Sequence, residues 1–187
     1  MAKSIYLTGI GACGKTLLSY GFITKFTAEG LNATYFKPVA VSRKRVIAKG
    51  TGVDADGLAM KEALGIEEEI NLISPYSIPD KYITLSDREE AITKIKNAFE
   101  KISANKDLVI IEGHKNPEAL LSIGLCDPQV AKVLGSKIIL IAKYEEESII
   151  DKILMYKDFI EKHNGDLLGI LLNNVPMEIF KLSLIHI

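Results

Sequence analysis

The chain has 187 residues, 48% of them apolar and 25% charged, with a net charge of −1. That length suits one domain with a buried core, and that composition is ordinary for a globular fold and unlike a disordered one. Near-neutrality gives no support to a nucleic-acid or membrane-surface role, which would call for a basic excess or stripe.

The opening stretch MAKSIYLTG carries too short an apolar run for a secretory signal, and no uncharged run is long enough to span a bilayer, so the expected location is the cytoplasm. Cys13 and Cys126 stand far apart with no CxxC or Cys/His spacing, which implies neither a disulfide framework nor a zinc site.

In chain order, apolar and β-branched runs predict strands at residues 4–8, 33–39, 107–113, 137–143 and 167–175. Most are apolar throughout, as strands buried on both faces should be. Helical periodicity falls between them, at Lys15 to Glu29, Asp56 to Leu64, Asp87 to Ala104, Asp127 to Leu134 and Glu145 to His163. This alternation predicts an α/β fold with a mostly parallel sheet and helices on both faces. Ser86, followed by Asp87, Glu89 and Glu90, marks a helix start, while Gly30, Gly65, Gly135 and Gly165 stand where helical patterns stop. The basic, glycine-containing segment 42–53 is expected to be a mobile surface loop. The expected division is one nucleotide-binding domain over 1–180 and a short apolar tail, 181–187, expected to mark either a truncated product or an artificial boundary.

Gly9-Ile10-Gly11-Ala12-Cys13-Gly14-Lys15-Thr16 fits G-x-x-x-x-G-K-[ST] and lies between a predicted strand and a predicted helix, the setting this phosphate-binding loop requires. Glycines let the backbone wrap an anion, and successive N–H groups plus the helix N-terminus supply positive partial charge. The fold expectation is therefore of the P-loop NTPase type. Lys15 would reach the β- and γ-phosphates and the Thr16 hydroxyl would complete Mg²⁺ coordination. A helix start can also make Cys13 a reactive thiol, although its backbone alone would serve the loop.

Other candidates follow from where strands end. Glu112, at the carboxyl edge of DLVIIE, suits a metal ligand or a water orienter, or is a solvated strand end. Asp54 and Asp56 offer a second acid or a helix cap. Lys37, beside Pro38, can neutralise charge on an acceptor or a transferring phosphoryl group. Arg43, Lys44, Arg45 and Lys49 either close over phosphates or form a solvated loop. Asn173 and Asn174 can read a purine edge or cap a turn before Pro176. His114, His163 and His186 form no triad, which leaves His114 at most a site-lining role.

The ordered set SIYLTGIGACGKT, YFKPVA, DADGLAMKEALG, ISPYSIP, DLVIIEG, LCDPQVAKVLGSKIILIAK and GILLNNV resembles the dethiobiotin synthetase family over residues 3–176. It is more similar still to the synthetase-like domain at the N-terminus of long phosphate acetyltransferases and its stand-alone relatives. The resemblance implies ATP and Mg²⁺ as cofactors, with Gly9, Gly11, Ala12, Cys13, Gly14, Lys15, Thr16 and Leu17 around the phosphates. It also implies Thr16, Asp56 and Glu112 at the metal, Lys37 facing a substrate carbamate with Lys15 as its catalytic companion, and Asn173 at the adenine. One departure stands out: EGHKNPEAL replaces the small glycine-rich substrate loop that follows the glutamate in true synthetases. The expected ligands are a nucleotide and a small molecule, with no nucleic acid or membrane; a homodimer and a further C-terminal domain stay open. Three functions fit: an ATP-dependent cyclo-ligase, a nucleotide-sensing regulatory domain, and a simple P-loop kinase or NTPase.

Overall fold

The structure is a computed structural model that describes residues 2–41, 45–48, 51–78, 81–85, 87–146 and 148–179. Its centre is a parallel sheet of five strands: β1 (Lys3–Gly9), β2 (Ala33–Phe36), β7 (Leu108–Glu112), β8 (Lys137–Lys143) and β9 (Asp166–Asn173), in the spatial order β2-β7-β1-β8-β9. The all-parallel pairing fixes register, with Tyr6 opposite Ile111 on one side of β1 and opposite Ile138 on the other. Two small sheets flank it: β3 (Val39–Val41) pairs in parallel with β6 (Tyr76–Ile78), and β4 (Arg45–Ala48) pairs antiparallel with β5 (Thr51–Asp54).

Helices α1 (Lys15–Ala28), α2 (Ala55–Leu64), α5 (Arg88–Ile102), α6 (Asp127–Val133) and α7 (Ser148–Lys162), with single turns α3 (Ile70–Ile73) and α4 (Tyr82–Leu85), make the connections. In α5 the buried residues Ala91, Ile95, Ala98 and Ile102 recur at helical spacing, so one face packs inward and the charged face stays in water. Asp87 starts that helix by accepting the N–H groups of Glu89 (2.8 Å) and Glu90 (3.1 Å).

Three sequence expectations change. Residues 33–39 do not form one strand: Pro38 has no N–H to donate, Lys37 N turns to the Ile73 carbonyl at 2.8 Å, and β3 leaves to pair with β6. Segment 42–53, expected to be an irregular loop, contains the β4–β5 pairing where it is described. At the end of α7 the left-handed residue is Asn164 (φ 61) and not Gly165, whose N–H bonds back to the Ile160 carbonyl at 2.8 Å. Strand β7 is buried along its whole length, as its composition predicts, whereas β9 is an edge strand that leaves Leu168, Ile170 and Leu172 exposed. Ser86, His186 and the tail 181–187 lie outside the described residues, as do the side chains of Arg43, Lys44, Arg45 and Lys49.

The α5 cap gives the first test: Asp87→Ala removes two accepted N–H bonds and is expected to lower unfolding free energy by about 1 kcal/mol, read as a reduced urea midpoint with unchanged slope.

Candidate functional site

Strand β1 runs straight into the glycine-rich loop, and the loop runs straight into α1. Gly14, the N-cap of α1, sits at φ 88 and ψ 22, a left-handed conformation that a side chain would strain, and its Cβ would lie 2.8 Å from Asn173 Nδ2. No side chain caps this helix. Its first N–H groups have no acceptor within the helix, so they face the loop interior, ready for an anion.

The carboxyl edge of the sheet brings most of the predicted residues to one cavity of about 700 Å³, which includes Gly11 to Leu17, Lys37, Asp56 and the run Glu112 to Lys115, whereas Gly9 and Asn173 are not among its lining residues. Glu112 ends β7 and is buried. Its Oε1 accepts the Thr16 hydroxyl at 2.9 Å and its Oε2 accepts the Tyr35 phenol at 3.0 Å, while the Lys37 ammonium stands 3.8 Å from Oε1. Burial pushes the Glu112 carboxyl up, against the opposing pull of Lys37, Thr16 and Tyr35. Tyr35 is itself held well above its ordinary value by burial and by Glu112, which keeps it a donor.

Lys37 is the hub of the acidic side. Its Nζ lies 2.7 Å from Asp56 Oδ2 and 3.4 Å from Asp54 Oδ2. Burial works to lower its pKa, yet Glu112, Asp54 and Asp56 together outweigh this and the net shift is upward, so it remains an ammonium. Asp54 is also the N-cap of α2, accepting the Gly57 N–H at 2.6 Å, and its other oxygen, Oδ1, is buried without a hydrogen-bond partner among the described residues.

These groups suit a hard cation. Three carboxylates around one ammonium leave an electron-rich cluster, the donors are all oxygens, and Thr16, Asp56 and Glu112 line the cavity beside the loop. Among the described residues no three His, Cys, Asp or Glu side chains form a complete metal site, so a cation would draw its remaining ligands from phosphate oxygens and water.

Asn173 Nδ2 donates to the Cys13 carbonyl at 3.0 Å and its Oδ1 accepts the Asn174 N–H at 2.9 Å, so β9 braces the loop. Cys13 and Cys126 are free and buried, and burial pushes the Cys126 thiol up to about 11. His163 meets Phe159 in a tilted ring contact away from the site, with centroids 4.4 Å apart.

Sequence reasoning passed over Asp127 and Asn116. Asp127 is fully buried and accepts from Tyr6 (3.0 Å), Thr8 (2.5 Å), the His114 N–H (2.9 Å) and His114 Nδ1 (2.6 Å). It thereby locks the turn after Glu112, and a Cβ on Gly113 would strike its carboxylate. His114 lines the cavity with Nε2 unpartnered. The signal available in the sequence was an aspartate in the run GLCDPQVAKV, which reads as a helix start rather than as an anchor.

A profile of the family described as "AAA domain" matches residues 3–183. The ATP-dependent dethiobiotin synthetase BioD of Aeromonas salmonicida is 29% identical over 126 residues, covering 60% of this chain and 52% of that protein. The enzyme of the same name from Methanococcus vannielii is 25% identical over 175 residues, covering 90% of this chain and 78% of that one. The chain thus spans about half the length of the first curated relatives it matches. Among solved structures, the kinase domain of Escherichia coli tyrosine kinase ETK superposes with a TM-score of 0.62 at 15% identity, covering 94% of this chain and 68% of that one, a likeness of fold.

The buried ion cluster generates a stability test. Lys37→Met leaves Glu112 and Asp54 without their cation and is expected to cost about 3 kcal/mol at pH 7. Without the ammonium the folded-state Glu112 pKa climbs further above its unfolded value, so the folded chain binds that proton more readily. The deficit should therefore shrink as pH falls from 7 toward 5, a trend that urea unfolding across that range would detect.

Proposed function

The chain belongs to the AAA domain family, and on that premise we propose that it is an Mg²⁺-ATP-dependent ligase of the dethiobiotin synthetase type, acting on a small carboxylate or carbamate. The observation that carries this reading is that Lys15, Thr16, Lys37, Asp56 and Glu112 all line one cavity at the carboxyl edge of the sheet. In this reading the loop N–H groups and Lys15 hold the triphosphate, and Thr16, Glu112 and Asp56 hold the cation. Asn173, which the resemblance assigns to the adenine, would have to release the Cys13 carbonyl before its amide could read a base. Bound there, magnesium supplies charge neutralisation on the transferring phosphate.

Lys37 would then do two things. It would orient a carboxylate or carbamate oxygen toward the γ-phosphorus, and it would offset the charge that builds as that oxygen bonds to phosphorus and ADP leaves. The acyl phosphate so formed closes when an amine attacks its carbonyl carbon and inorganic phosphate departs. Both steps depend on positioning and electrostatics, with no covalent protein nucleophile.

A second reading, a nucleotide-sensing regulatory domain without turnover, is favoured by one feature: His114, Lys115, Asn116 and Pro117 stand where the resemblance implies a small glycine-rich substrate loop. Magnesium-dependent ADP release, measured with and without bicarbonate and a panel of diamines, separates the two, with calorimetry reporting ATP binding alongside. The ligase reading expects Lys15→Ala to abolish ATP binding. It expects Lys37→Met to bind ATP nearly as wild type while losing turnover. Wild-type binding without turnover across the panel would favour the sensor, and equal loss of binding in the two variants would contradict the role given to Lys37.

A further inference from the structure

Two donors of the phosphate loop are already engaged within the chain. The Gly11 N–H donates to Asn116 Oδ1 at 2.8 Å, and Lys15 Nζ donates to the Lys115 carbonyl at 3.3 Å. Both acceptors belong to the turn that leaves β7, and that turn is held at each end. On one side, Asp127 grips the His114 backbone and ring. On the other, Asn116 Nδ2 donates to Glu118 Oε1 at 3.2 Å.

We propose that residues 115–118 form a clasp whose carbonyl oxygens stand in for phosphate oxygens on the loop, and that Asn116 sets nucleotide affinity because its amide must leave Gly11 before the triphosphate seats. This rests on the nucleotide-binding reading of the loop. A carbonyl oxygen is a neutral acceptor, so an anionic phosphate oxygen displaces it, since hydrogen bonds to charged acceptors are about twice as strong. The displacement is still opposed by the bond that is lost, and this lowers the observed affinity.

The test is calorimetry on the full chain with Mg²⁺-ATP and, separately, with magnesium-free pyrophosphate, which reports the phosphate contacts without base or metal. Asn116→Ala should bind both probes about five-fold more tightly, the equivalent of one ordinary hydrogen bond no longer competing. Asn116→Asp, which places an anion on Gly11 N, should bind both about ten-fold more weakly. Circular dichroism confirms that each variant is folded. Wild-type binding with Asn116→Ala unchanged or weaker overturns the clasp alone; absence of binding in wild type and Asn116→Ala alike overturns the nucleotide reading together with it.

Discussion

A carboxylate at the end of a strand buried on both faces is tolerable only if donors surround it, and Glu112 sets the shape of the site through that requirement. Thr16 comes from the first turn of α1, Tyr35 from β2, and Lys37 from the break just beyond β2. Each must point at the same two oxygens. The start of α1 is thereby tied to the end of β7, and the cation between β2 and α2 is tied to both. The pKa shifts follow the same logic: burial lifts the carboxyl, while the carboxylates around Lys37 keep it an ammonium despite burial.

A second buried carboxylate does comparable structural work on the other side of β1. Asp127, at the start of α6, takes hydrogen bonds from two β1 side chains and from the turn after Glu112, so the loop floor and the turn beside it are fixed by one residue. Tyr6 is held well above its ordinary pKa by burial and by Asp127, which keeps it a donor there. Two acids with opposite duties thus share the edge of the sheet: one is satisfied entirely from within the chain, and the other faces a cavity open to a ligand.

Much of the fold was legible because it rests on local signals. Apolar runs marked all five strands of the main sheet, and the glycine, lysine and threonine spacing marked the loop. What escaped was non-local. Whether the hydrophobic stretch 33–39 continues past Pro38 depends on the Ile73 carbonyl, more than thirty residues away. The pairing of β4 with β5 sits in a segment whose charges and glycines look irregular, and the alternating exposure of Leu168, Ile170 and Leu172 follows from one face of β9 standing uncovered among the described residues rather than from its composition. At the site, Glu112 and Lys37 could be singled out by position at strand ends and Asp56 by the family resemblance, but their mutual distances could not. Asp127 and Asn116 carried no motif, since an aspartate at a helix start reads as a cap and an asparagine in a turn reads as any other, while the donors each accepts from lie far away in the chain.

The central claim is that main-chain N–H groups of Gly11 to Thr16, with Lys15, hold a triphosphate next to Glu112. The most direct measurement is a crystal structure grown with magnesium and a non-hydrolysable ATP analogue. The β- and γ-phosphates should lie within the loop, with the cation between them and the Thr16 and Glu112 side chains. A loop left empty while the nucleotide binds elsewhere on the chain would contradict it.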